Sequence, residues 1–176
     1  DLAAAFAGSV TTHTGTVTIT NAPNVTQLVA INAATEGAIT LTTADGALSG
    51  SAANLVLAFA GTVTTHTGTV TITDTPTVAQ ANTIDAATSG AITATFADDA
   101  TDLATLTGTG NAYTLTLSNT DAATLAELVT INAATTGAIT LNALTIAANL
   151  SGSAANLVSA FAGTVTTHTG TVTITD

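Results

Sequence analysis

The chain has 176 residues, no Lys or Arg, eleven acidic residues and three histidines, for a formal net charge of −11. Without basic side chains it cannot neutralise phosphate or anionic headgroups, so binding to nucleic acid and polybasic attraction to lipid are excluded. The absence of Cys removes disulfides and thiolate metal sites, and no apolar run approaches the roughly 18 residues of a membrane-spanning helix, so no membrane insertion is expected.

The first predicted element is a helix from Leu2 to Ala7, closed by Gly8. A short β segment, Val10-Thr-Thr12, follows it. The string THTGTVTIT then begins at Thr12 and recurs at Thr65 and Thr167. A nine-residue match of this kind marks a tandem-repeat protein. In each copy His13, His66 or His168 occupies a turn just before an alternating Val-Thr-Ile-Thr strand.

The alternation outlines a finer period. Strands open at Val17, Ile39, Val70, Ile92, Leu115, Ile139 and Val172, spaced 22, 31, 22, 23, 24 and 33 residues apart. About seven coils of 22–24 residues result, two of them carrying extra residues around Gly46–Ala53 and Leu144–Ala155. Period-2 alternation of β-branched residues after a glycine is a strand signal. It sends Val and Ile to one face and Thr to the other.

Between strands lie helical segments of two kinds. One kind opens with a capping box: Asn24 with Gln27, Thr77 with Gln80, and Thr124 with Glu127. Its apolar positions are Val25, Leu28, Val29 and Ile31, then Val78, Ala81 and Ile84, then Leu125, Leu128 and Ile131. The other kind covers Asn54–Ala60, Leu103–Thr107 and Asn156–Ala162, with Ser51, Asp99 and Ser153 as candidate caps. Gly61, Gly108 and Gly163 stand where a left-handed C-terminal glycine belongs, and Phe6, Phe59 and Phe161 hold equivalent core positions.

The expected fold is a right-handed repeat solenoid: a parallel β-sheet with one short helix per coil. The alternative is a mainly β parallel helix, in which Val10-Thr-Thr12, Val63-Thr-Thr65 and Val165-Thr-Thr167 supply second strands. Strands about 4.8 Å apart conflict with helices that prefer 8–10 Å, and the helix-face alanines narrow that mismatch. Residues 1–176 read as one solenoid segment, uncapped at both ends, from a longer array or filament.

Three sets of residues are candidates for function. The histidine turns could bind metal or respond to pH. Equivalent histidines stand two coils apart, however, with Thr35, Thr88 and Thr135 in the intervening coils, so they cannot share one ion. The Thr-x-Thr rows Thr18/Thr20, Thr40/Thr42, Thr71/Thr73, Thr93/Thr95 and Thr173/Thr175 form ladders that suit assembly, adhesion to a glycan or solid, or ice binding; threonine is also simply a good strand former on a solvated face. Asp98, Asp99 and Asp102 place several oxygens close enough for calcium, whereas capping explains Asp99 more simply. No other cofactor is expected. Catalysis finds little support, since no Lys, Arg or Cys is present and no carboxylate lies beside the histidines in sequence.

The phrases NTIDAATSGAITAT (82–95) and LVTINAATTGAITL (128–141), alternating with AGTVTTHTGTVTITD, resemble repeats of very large secreted cell-surface proteins of cyanobacteria and other aquatic bacteria. The resemblance spans essentially the whole chain. It implies an extracellular, cell-surface location and a structural, adhesive or motility-associated role, and it supplies no catalytic residues. The expectation is a non-enzymatic structural repeat that associates end to end with further copies into a filament or stalk; the alternative is a surface adhesin working through its threonine face.

Overall fold

The computed structural model describes residues 2–5, 12–118 and 120–176. The chain is α/β, with every strand pairing parallel to its neighbour among the described ladders. It divides into two compact units, residues 1–76 with 80–92 and residues 77–79 with 93–176.

In the first unit the order is α1 (Leu2–Ala5), β1 (Val17–Ile19), α2 (Val25–Ala33), β2 (Ile39–Leu41), β3 (Leu48–Gly50), α3 (Ala52–Ala58), β4 (Val70–Ile72) and α4 (Val78–Ala87), which begins at the division between units. β1 pairs with β2, Val17 opposite Ile39, and β3 pairs with β4, Leu48 opposite Val70. Val17, Ile19, Ile39, Leu41, Val70 and Ile72 are buried, while Thr18, Thr40 and Thr71 between them are exposed. Inside the coil these aliphatic rows meet Val25, Leu28 and Ile31 of α2 and Leu55 and Ala58 of α3. Removal of that apolar surface from water is the main favourable contribution to the fold.

The second unit contains β5 (Ile92–Asp98, all but its first residue), α5 (Ala100–Leu103), β6 (Ala112–Leu117), α6 (Leu125–Ala133), β7 (Ile139–Thr140), α7 (Ala143–Ala147), β8 (Leu150–Gly152), α8 (Ala154–Ala160) and β9 (Val172–Ile174). β5, β6 and β7 form one parallel ladder, and β8 and β9 form another. Phe96 and Tyr113 fill the core edge to face, with ring centroids 5.1 Å apart, a favoured aromatic geometry.

The caps follow the sequence. Asn24 and Thr124 close complete capping boxes with Gln27 and Glu127. Ser51, Asp99 and Ser153 each accept from the backbone N–H three residues on. Gly61, Gly108 and Gly163 all have positive φ. α4 starts at Val78, directly after Thr77. Phe6, Gly8 and Val10 lie outside the described residues.

Three expectations need correction. The residues read as excess at Gly46–Ala53 and Leu144–Ala155 contain strands β3 and β8, and α7 besides. Each of these strands starts a new ladder. Ile39 therefore meets Val63, not Val70, in the next coil, and Ile139 meets Val165. Leu115 pairs with Phe96 rather than with Ile92, because β5 runs four residues past Ala94 before the chain turns. The helix expected at Leu103–Thr107 ends at Leu103 and begins at Ala100, one residue after the Asp99 cap.

Candidate functional site: turn column and threonine face

The histidine turns are built by stacking. His13 bridges Thr35 and His66 bridges Thr88, one coil later in each case. Around His66, its own N–H donates to Ala87 O at 3.2 Å, and Ser89 N–H and Thr88 Oγ1 donate to His66 O at 2.8 and 2.9 Å. Thr88 Oγ1 also accepts from Gly90 N–H at 3.0 Å. Thr35 and Thr135 repeat this double role, bonding to His13 O and Tyr113 O while accepting from Gly37 and Gly137. The glycines are required by close approach: a Cβ on Gly37 would overlap Gly15 O, and one on Gly90 would overlap Gly68 O.

The His66 side chain is buried at 2% exposure. Its Nε2 lies 2.7 Å from Gly46 O and its Nδ1 lies 3.3 Å from Thr88 Oγ1. The ring tilts against Phe59 at a centroid distance of 5.8 Å, and His168 packs on Phe161 at 5.5 Å. His168 Nε2 likewise reaches Ala148 O at 3.0 Å. Both Nε2 atoms thus meet the backbone of the segment that precedes α3 or α8. The histidines tie these segments to the turn column, which accounts for their conservation of place within the repeat.

The threonine rows lie as the alternation requires. Thr18, Thr20, Thr40, Thr42, Thr71, Thr73, Thr93, Thr95, Thr173 and Thr175 are all exposed. In the first unit Thr18 stands opposite Thr40, and Thr71 opposite Ser49. In the second unit Thr95 stands opposite Thr114, Thr116 opposite Thr140, and Thr173 opposite Ser151. Thr93 faces Ala112 instead, so the hydroxyl lattice is interrupted there.

Asp98, Asp99 and Asp102 converge, each offering a carboxylate oxygen within 4.8 Å of the others. Asp98 Oδ1 accepts from Asp99 N–H at 3.0 Å, and Asp99 Oδ1 accepts from Asp102 N–H at 2.8 Å. These are the contacts of an N-cap at the start of α5.

A further set of residues was not legible as functional in the sequence. Asn32 Nδ2 donates to Leu57 O, Ala58 O and Ala60 O at 3.1, 3.2 and 2.7 Å. Asn132 Nδ2 does the same for Ala160 O and Ala162 O at 3.1 and 2.8 Å. Each amide satisfies carbonyls left over at the C-terminus of α3 or α8. At the other end of those helices, Asp74 Oδ1 accepts from Ala52 N–H at 2.8 Å and Asp176 Oδ1 from Ala154 N–H at 2.9 Å. Thr64 and Thr166 each accept through Oγ1 from Leu41 or Leu141 N–H at 3.1 Å, so a hydroxyl carries on the ladder where the strand has left it. The signal available was the shared phrase SGSAANLV with an Asn and an Asp at fixed distances on either side.

No helix among the described residues is long and apolar enough to cross a membrane. No protein-family model, curated protein or solved structure matches the chain.

Proposed function

We propose that this chain is a stacking unit of an extracellular structural protein, a right-handed solenoid segment that builds a filament or surface stalk. The observation that carries this reading is the repeated coil-to-coil bonding. The same clamps, Asn32 with Asn132, Asp74 with Asp176, His66 with His168 and Thr64 with Thr166, recur in each unit at the same place. Polar side chains whose partners are the backbone of the next coil serve stacking, and nearest-neighbour contacts of this kind define repeat architectures. Right-handedness follows from the parallel strands with helical crossovers. The likeness to giant surface-protein repeats supports the extracellular assignment, and the reading is non-catalytic. Electron microscopy of the intact parent protein tests it: filaments or stalks are expected, and dispersed monomers alone overturn it.

A second reading, a surface adhesin, is favoured by the exposed Thr-x-Thr rows. Asp replacing Thr18, Thr40 and Thr71 together should abolish attachment to a glycan or solid surface. Undiminished attachment would refute it.

A further inference from the structure

The second and third copies of THTGTVTIT are identical in sequence and differ in what lies over them. In the second copy Val70 is 0% and Ile72 5% exposed; in the third Val172 is 46% and Ile174 61% exposed. Val158 of α8 is also exposed, whereas its counterpart Val56 is half-buried. The first two copies are each covered by an Ala-Ala-Thr-x-Gly-Ala-Ile segment in one register. His13 N–H donates to Ala34 O, Glu36 N–H to His13 O and Val17 N–H to Ala38 O, at 3.0, 2.9 and 2.9 Å. His66 N–H donates to Ala87 O, Ser89 N–H to His66 O and Val70 N–H to Ala91 O, at 3.2, 2.8 and 3.1 Å. In the third copy, His168 N, His168 O and Val172 N have no such bond among the described residues. An open edge of this kind is a template for a further parallel strand.

We infer that the rim formed by β9, the Thr167–Gly170 turn and Val158 is a docking site for a partner coil bearing Ala-Ala-Thr-x-Gly-Ala-Ile-Thr. Its Thr stands opposite His168, donating Oγ1–H to His168 O. Its Gly lies on Gly170, where a side chain would not fit, as Gly90 lies on Gly68. Its Ile covers Val172. The inference rests on the stacking reading and names what the stack accepts. Specificity comes from the glycine, because a backbone-to-backbone approach rejects every residue with a Cβ, and from the threonine hydroxyl, which bridges two coils.

The test appends a second copy of residues 75–98 after Asp176 of the full chain, which raises the local concentration of the coil without asking it to fold alone. Amide hydrogen exchange at residues 172–174 is then compared with that of the parent chain. Slowing of at least about tenfold is expected, since edge amides become ladder amides. Gly90→Val placed only in the appended copy should remove the protection, and a scrambled extension of equal composition should give none. Unchanged exchange with the native extension overturns the inference, as does equal protection by the Val or scrambled version. The outcome is separable from the filament reading: monomers of the parent in the microscope would end that reading while leaving the protection in the extended chain intact.

Discussion

His66 Nε2 lies 2.7 Å from the carbonyl oxygen of Gly46, twenty residues back in the chain. A carbonyl only accepts, so the ring proton resides on Nε2 and the tautomer is fixed by the fold. His66→Leu keeps the contact with Phe59 and removes the donor, leaving a buried carbonyl without its partner. A loss of about 1–3 kcal/mol is expected in equilibrium denaturation. His13→Leu should cost less, because His13 is exposed. Equal losses at the two positions would show that burial is not what makes His66 matter.

The glycine column makes a sharper distinction. Gly90→Ala brings a methyl into Gly68 O, and backbone cannot rotate away as a side chain can. The expected cost is about 3 kcal/mol or more, at the upper end of overpacking effects. Gly46→Ala meets only the Ala22 side chain at 3.1 Å and should be far milder. Thermal unfolding of the two variants gives the comparison.

Asn32→Ala strips the donor from three carbonyls at the end of α3. A loss of roughly 1–3 kcal/mol is expected for carbonyls that lose their hydrogen bond in a partly buried setting. Asn32→Asp should be at least as damaging, since a carboxylate presents only acceptors to those oxygens. Asn132→Ala in the second unit should behave alike, and a neutral result there would break the equivalence of the two clamps.

Glu127 is held below the ordinary glutamate range, first by the hydrogen bond from Thr124 N–H and further by the hydroxyls of Thr124 and Thr101, against a small opposing effect of burial. A carboxylate whose folded pKa is depressed adds stability that is fully present above its unfolded value. That stability is lost as pH falls through the folded value. Stability of α6 should therefore drop on acidification across the lower carboxylate range. Glu127→Gln keeps the capping geometry and should flatten this part of the pH profile, while Thr124→Ala should cost about 1 kcal/mol at neutral pH. An unchanged acid slope in Glu127→Gln, followed by circular dichroism, would contradict the assignment.

Much of the fold was legible because the alternation is strong. Val17-Thr-Ile19 and its six relatives can bury their aliphatic residues only as strands with Thr outward, and the capping boxes at Asn24 and Thr124 announce their helices. β3 and β8 escaped because Leu48-Ser-Gly50 and Leu150-Ser-Gly152 offer one inward residue each and end in glycine, which carries no strand signal. The register of β5 against β6 escaped because Ile92, Ala94 and Phe96 all alternate correctly, so pattern alone allows either Ile92 or Phe96 to face Leu115. Among the candidate sites, the threonine face and the His–Thr alternation could be read directly from spacing. The Asn32 and Asp74 clamps could not, because their partners are backbone groups more than 20 residues away, and a backbone partner leaves no residue type to recognise.

The central claim is that this chain stacks coil upon coil, and the axial rise within the native assembly measures it most directly. Cryo-electron microscopy of the parent protein should show parallel strands spaced about 4.8 Å along the long axis of a filament or stalk. Discrete particles without that axial spacing would contradict the account.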